Sequence, residues 1–584
     1  MNRLFEITLI VSLLQTTPPQ QLPAATGATI AGVVIIAGSN EPVAGAGVEL
    51  SRVIPASRVA GPPTPFTPAS TAITVETNDD GRFTLNNIPP GDYRLAAAHA
   101  GFVRSEYGQR GYDGAGQTIT VTAGQSISDV RVILTKTSSL TGRITDRNGD
   151  PFPNVQVQAL KYVYENGRRV LSTAKAMVTD DLGEYRLFWM QPGDYVVMAR
   201  PLRGAVSDTL MMPMGNGGFG FRNIPSSTGA PILVPEDAAS IPFFFPGSTD
   251  VQSAAELHLN PGEDVGSINI TIRGVNTHHV RGTIANLPSN LPVPVDEGGT
   301  AFLNLRVNLV PRVASAFDYD STPIGPGTSA DRKAGTFDIP GVPPGSYLLN
   351  VGLSGTGNES QNMHAQIALE VGGEDINVLS ITLEPDFDVP VRIVVDGSAE
   401  SIPAQQLSSI RVRLANSREA QRLPTGLYVF RQIRPFAGKV IVDQLPDDAY
   451  VKSVRLNDTD VLAEGLHIDR SPETPIEIVI GGRAGVVSGT VKDASNTIPN
   501  ATVALVPNEP NRNRSDLYRN ATTDAAGKFR ITGITPGDYS ILAWDYVPKG
   551  AWQNPQFIKA NEDHGKPVHI DEGSVVDTVI VRDP

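Results

Sequence analysis

The 584 residues include no cysteine. A disulfide scaffold, a thiolate metal centre, a cysteine nucleophile and a cysteine-linked lipid anchor are therefore all excluded. Tryptophan is scarce, with 3 in the chain, so each one is informative. Basic residues are outnumbered: 47 Lys and Arg face 61 Asp and Glu, a formal charge of −14. This balance repels phosphate backbones and anionic lipid surfaces, and no basic run offsets it, so nucleic acid is not an expected partner. Beyond the N-terminal leader no segment approaches the roughly 18 apolar residues of a membrane helix, so no integral membrane segment is expected after signal removal.

Catalytic signatures are also missing. HExxH, GxSxG and GxxxxGK(S/T) do not occur, and no paired-carboxylate pattern stands out from the acids of turns. Of the 8 histidines, only His569 has a glutamate three positions on, Glu572, and no histidine follows it to complete a zinc triad. His278 and His279 adjoin on a strand and point to opposite faces. The expectation is a non-enzyme without cofactor or metal.

Residues 1–26 join an apolar run, LFEITLIVSLL, to the Pro-rich QTTPPQQLPAATG. A run of this length followed by polar, Pro-rich sequence reads as a signal peptide, and the protein is expected to be exported to the periplasm, the cell surface or the medium.

With 56 Gly and 47 Pro, the rest of the chain is dominated by repetition. Four stretches superpose: TNDDGRFTLNNIPPGDYRL (77–95), TDDLGEYRLFWMQPGDYVV (179–197), AGTFDIPGVPPGSYLL (334–349) and TDAAGKFRITGITPGDYSI (523–541). A Gly-ended turn, an alternating strand opened by an aromatic, a Pro-Gly reversal and a return strand opened by Tyr make a β-hairpin. Upstream of the hairpins lies a strand interrupted by one glycine, in ATIAGVV (28–34), SLTGRIT (139–145), HVRGTIA (279–285) and VVSGTVK (486–492). Such a glycine marks a bulge or a close backbone approach. Each unit closes on a further alternating strand, as in EGSVVDTVIV (572–581).

Five units follow: 28–136, 137–274 with a long insertion at 201–260, 277–384, a degenerate copy at 388–481, and 485–582. Short strands, frequent turns and no 3.6-residue periodicity predict an all-β fold, a tandem array of about five antiparallel seven-strand β-sandwiches. Joints of a few residues predict end-to-end stacking as a semi-rigid rod. Within the insertion, MMPMGNGGFGF (211–221) reads as a mobile loop and IPFFFPGSTD (241–250) as an ordered edge.

The glycine-containing first strand, the T-D-x-x-G-x-(F/Y) hairpin and the P-G-(D/S)-Y return resemble the carboxypeptidase regulatory-like domain, a transthyretin-like (prealbumin-like) β-sandwich. The resemblance implies a non-catalytic module of exported bacterial proteins. Its grouping with starch-binding-like, carbohydrate-binding-like folds implies a polysaccharide or glycan as one partner class, and a cell-envelope protein is the other.

Acidic turns at Asn78-Asp79-Asp80 and Asp180-Asp181 offer two or three oxygens, fewer than the six to eight that calcium takes, and read as Asx turns. A Lys–Asn isopeptide cross-link is excluded in the first unit, which has no lysine between 28 and 135. Sugar binding needs exposed aromatic faces. Phe188 and Trp189 stand where the other copies have Asn86-Asn87, Pro340-Gly341 and Thr532-Gly533, which are turn residues. They are candidate stacking residues, with packing beneath the insertion as the alternative. Trp544, in the column of Ala98 and Arg200, and Trp552, in a loop that folds back across it, complete the candidate set. The function expected is carbohydrate or protein binding through sandwich loops. The alternative is a structural spacer with no small ligand.

Overall fold

The computed structural model describes residues 27–53, 72–114, 116–165, 167–201, 208–213, 219–224, 241–274, 276–287, 303–312, 331, 334–355, 362–397, 402–415 and 418–581. The leader at 1–26 lies outside these residues. Among them no helix is long and apolar enough to cross a membrane, a statement about helices only.

The first unit shows how alternation becomes a sandwich. Strand Ala28–Ile36 lies between Arg82–Ile88 on one side and Ser126–Lys136 on the other. In the facing sheet, Gly47–Arg52 lies between Ile73–Glu76 and Gly91–Ala98. Every second residue of these strands turns inward. Ile30, Val34, Phe83 and Leu85 of one sheet meet Val48, Leu50, Tyr93 and Leu95 of the other in a single buried cluster.

The other units repeat this plan, each with a buried cluster between its own sheets. The three-strand set of the first sheet recurs as Ser138–Thr145 with Glu184–Met190 and Asp264–Val265, and as His278–Ile284 with Thr336–Val342 and Ile376–Ile381. It recurs again as Phe387–Val395 with Tyr428–Ile433 and Ile476–Gly482, and as Gly485–Lys492 with Lys528–Ile534 and Val575–Val581. The degenerate copy differs in its second sheet. There Arg411–Leu414 pairs with Val440–Asp443, and Phe436–Gly438 pairs separately with Leu466–Ile468.

A purely antiparallel sandwich is not what forms. In all five sets the first and last strands run parallel. The last strand leaves the edge of the second sheet, crosses to the first and enters beside the first strand in the same direction. Alternating burial is the same for parallel and antiparallel neighbours, so the sequence pattern carries no sign of it.

This pairing explains the glycine of the first strand. A Cβ on Gly32, Gly142, Gly282 or Gly489 would lie 2.1, 2.0, 2.5 or 2.0 Å from a carbonyl oxygen of the adjacent last-strand segment. On the other side it would meet the aromatic residue that opens the hairpin, Phe83, Tyr185, Phe337 or Phe529, at 3.0 Å or less. A carbonyl and a ring occupy the volume that any other side chain needs.

Three polar devices fix the turns. Thr77, Thr179 and Thr523, all buried, each donate to a carbonyl before the second strand and accept a backbone N–H, as in Thr523 Oγ1 to the Ile498 carbonyl at 2.7 Å and Ala501 N to Thr523 Oγ1 at 2.8 Å. The next residue, Asn78, Asp180 or Asp524, accepts two backbone N–H groups of its own turn. These acceptors close Asx turns. Finally, the tyrosine of each Pro-Gly return donates to the carbonyl four residues back: Tyr93 to Pro89, Tyr195 to Gln191, Tyr347 to Pro343 and Tyr539 to Thr535, at 2.7–2.9 Å. Burial pushes the Tyr195, Tyr347 and Tyr539 phenols up to about 12.

The insertion differs in part from expectation. Asp208–Pro213 and Phe219–Ile224 pair as antiparallel strands where a mobile loop is expected. Phe243–Phe244 joins Gly193–Pro201 at a sheet edge, as the apolar run suggests. The segment after Trp552 holds a helix, Pro555–Asn561, capped by Asn554, which accepts from Phe557 N at 2.9 Å, with Pro555 at its first position.

End-to-end stacking as a rod does not describe the array. Asn500 Nδ2 of the fifth unit donates to the Gly108 carbonyl of the first at 3.1 Å, and Arg110 pairs with Asp545 at 2.8 Å. Asn554 Nδ2 reaches the Gly167 carbonyl of the second unit at 2.9 Å, while Lys161 pairs with Asp113 of the first at 3.1 Å. The fifth unit is thus held against both the first and the second. Exposed ion pairs of this kind contribute about 0–1 kcal/mol each.

Replacing Gly489 by alanine is expected to destabilise the fifth unit by about 1–3 kcal/mol, because neither strand nor ring can move without disturbing the core. Alanine at Gly45, where nothing lies within 4 Å, serves as a control for the effect of the mutation itself, although its φ of +68° adds a backbone cost of its own. Urea unfolding followed by tryptophan fluorescence measures the difference, and an unchanged midpoint for Gly489→Ala contradicts the close-approach argument.

Candidate functional site

A bulge recurs at one place in every unit. Between Leu85 and Ile88 the hairpin strand carries one residue more than its partner between Ile30 and Ala28, and the same slip occurs before Met190, Val342, Ile433 and Ile534. The extra length is absorbed by a residue with positive φ: Asn87 at 57°, Trp189 at 57°, Gly341 at 71°, Gln432 at 47° and Gly533 at 66°. A left-handed residue is the usual way to place a bulge without breaking the ladder. Glycine and asparagine adopt that conformation easily, whereas a bulky side chain crowds the following carbonyl at roughly 1–2 kcal/mol.

Trp189 is the bulkiest residue in this column, where Gln432 also departs from glycine and asparagine. The bulge turns its indole outward, leaving it 57% exposed. Phe188 beside it is half-buried, its ring 5.2 Å from the indole and edge-on at 77°. The Lys175 ammonium lies 4.7 Å from the centre of the Phe188 ring, and burial holds that lysine below its usual range.

These two rings line a cleft of 1220 Å³ between the first and second units, together with Phe102 and Lys136 of the first and Arg186 and Asp264 of the second. Arg186 lies 3.7 Å from Asp264, which also accepts a hydrogen bond from Ser139. The cleft exceeds the roughly 300–1,000 Å³ of ordinary small-molecule pockets. Mixed charges and one free ring face suit a polar polymer.

The other two candidates sit elsewhere and are not free. Trp544, expected to face outward, lies on the outer face of its sheet but is covered by the helix Pro555–Asn561. Its indole N–H donates to Asn561 Oδ1 at 3.2 Å, and its ring lies 5.8 Å from Phe557. Trp552 folds back as the sequence suggests, and both pack on a small secondary core of Ala504, Val506, Tyr518, Leu542 and Ile558. The four candidates therefore do not form one site.

His569 is engaged by two carboxylates, Asp538 at 2.6 Å and Asp571 at 3.3 Å, which raise its pKa. Asp194 and His258 form the same cross-strand pair in the second unit at 2.6 Å. Among the described residues no group of three His, Asp or Glu is placed to hold a metal ion.

Asparagine at position 189, the residue of the first unit, is expected to change stability by less than about 1 kcal/mol, since relief of the left-handed strain offsets the lost edge-to-face contact. Truncating a fully packed tryptophan costs about 3–5 kcal/mol. Thermal unfolding of Trp189→Asn separates the two, and a loss in the higher range would make the ring a packing element beneath the insertion.

Residues 29–135 and 486–547 match the carboxypeptidase regulatory-like domain. Comparison with curated proteins gives no match. Among solved structures, the TIE protein of Bacillus anthracis aligns at 11% identity over 92% of this chain and 68% of that one, with a TM-score of 0.14. The minor pilin GBS52 of Streptococcus agalactiae aligns at 14% identity over 45% of this chain and 100% of its own, with a TM-score of 0.21. The shaft pilin SpaA of Lactobacillus rhamnosus GG aligns at 12% over 43% and 99%, with a TM-score of 0.18. Similarity this distant carries no argument about what the chain does. The two matched segments, and the glycine and tyrosine devices that recur in the second and third units, make this a tandem β-sandwich protein with two segments similar to the carboxypeptidase regulatory-like domain.

Proposed function

We propose that the chain is a non-catalytic, exported binding protein, and that the cleft beside Trp189 takes a glycan. One observation carries the reading. A tryptophan occupies a left-handed, exposed position where the other units have Asn87, Gly341, Gln432 and Gly533. Strain of that kind is retained where it serves a purpose, and an outward indole face stacks on the apolar face of a pyranose ring. The apolar leader at 1–26 supports delivery to the periplasm, the cell surface or the medium.

Retention of the full chain on a panel of immobilised polysaccharides, followed by calorimetry with the retained species, tests this. Trp189→Ala is expected to weaken binding by about 1–2 kcal/mol, some five- to thirtyfold, whereas Trp552→Ala leaves it unchanged. Retention of no polysaccharide, or retention indifferent to Trp189→Ala, overturns the proposal.

A second reading, contact with a cell-envelope protein by strand pairing, is favoured by the strand Val575–Val581. It lies at a sheet edge with Val575, Val579 and Val581 exposed at 68%, 45% and 60%. Unpaired edges of this composition accept an added strand. Lysine at Val579 and Val581 is expected to abolish any such partner's capture while leaving glycan retention intact, and capture that survives both lysines removes this reading.

A further inference from the structure

A second cleft, of 850 Å³, opens where the hairpin tip of the second unit meets the fifth. Its walls come from Tyr164, Arg168 and Arg169 on one side and from Arg512, Tyr518 and Phe557 on the other. In a chain of formal charge −14, this cleft is lined by three guanidinium groups and by no carboxylate. Among the described residues neither Arg168 nor Arg169 has an ion pair. Arg169 is instead held over the Tyr162 ring, 3.6 Å from its centre, which fixes the plane of its fork. Arg512 gives one terminal nitrogen to Glu562 at 2.6 Å, and its Nε is buried without a hydrogen-bond partner. Tyr164 and Phe557 meet edge-on at 6.2 Å across the junction and supply an apolar wall.

We propose that this cleft binds an acidic oligosaccharide, with Arg168, Arg169 and Arg512 receiving its anionic groups. The guanidinium forks of Arg168 and Arg169, without ion pairs among the described residues, match the two oxygens of a carboxylate or a sulfate ester. The volume falls within the roughly 300–1,000 Å³ of ligand pockets and far exceeds a bare ion. A neutral sugar leaves Arg168 and Arg169 without an anionic partner, and a nucleic acid is opposed by the charge of the surrounding chain. The site is separate from the cleft at Trp189. It joins segments more than three hundred residues apart, as Asn554 to Gly167, with a separation of 387, shows.

The test is calorimetric titration of the full chain with a galacturonate trisaccharide, a sulfated galactose trisaccharide and a neutral galactose trisaccharide. Binding is expected for one or both acidic probes, weakening as salt shortens the screening length, and not for the neutral one. Which acidic probe binds more tightly distinguishes carboxylate from sulfate recognition. The double variant Arg168→Ala, Arg169→Ala is expected to lose at least about tenfold in affinity, or 1.4 kcal/mol, with lysine at both positions giving an intermediate value. Both side chains are exposed at a hairpin tip, so the melting temperature should not move. Absence of acidic binding, equal binding of the neutral probe, or affinity unchanged in the double variant overturns the proposal. So does loss of acidic binding in Trp189→Ala, which would assign the ligand to the other cleft.

Discussion

The contact on which four of the five units rest is the approach of the last strand to the glycine of the first; the degenerate unit has Val391 in that place. A carbonyl on one side and an aromatic ring on the other leave no room for a Cβ at Gly32, Gly142, Gly282 or Gly489. The glycine lets the last strand lie flat beside the first. The ring then fills the corner between sheets, and the hairpin that begins with that ring takes its register from it. The Asx turn, the buried threonine and the tyrosine anchored four residues back set where that hairpin starts and reverses. Sequence features that look like separate signatures thus converge on one corner of the sandwich.

How much of this could be read from the chain follows from what each interaction depends on. Gly-x-aromatic, Pro-Gly and Tyr are local, so the hairpins at 77–95, 179–197, 334–349 and 523–541 were legible. The direction of the last strand was not, because alternation does not encode polarity. The helix at Pro555–Asn561 hid behind its length. Asn554 and Pro555 are a capping signal, but seven residues give no periodicity to see. The contacts that bring the fifth unit back to the first and second depend on single residues such as Arg110, Asp113 and Asn554 in loops, where no repeat exists to align. For the same reason the cationic cleft was invisible: Arg168 and Arg512 are far apart in sequence, and neither lies in a basic run.

Phe188 and Trp189 stand in a column of turn residues, which points to exposure. The structural reason is the left-handed bulge that recurs in every unit, which at Trp189 turns the side chain outward. Trp544 stands on a sheet face, and its neighbours on the next helix cover it. At the bulge only Asn87 and Trp189 are exposed, whereas Gly341 is buried. Exposure on a sheet face depends on what else the chain lays over it.

The parallel pairing of first and last strands also governs how tension passes through the array. In the fifth unit the paired stretch runs from Val486 beside Val575 to Lys492 beside Val581. The chain enters at one end of this pair and leaves at the other, so a pull on the two ends slides the strands lengthwise past each other. Every interstrand hydrogen bond is then loaded together, unlike a hairpin, which unzips one bond at a time. Each unit is thereby a shear clamp, and the tie between the first, second and fifth units is a catch that must release before any clamp is drawn taut.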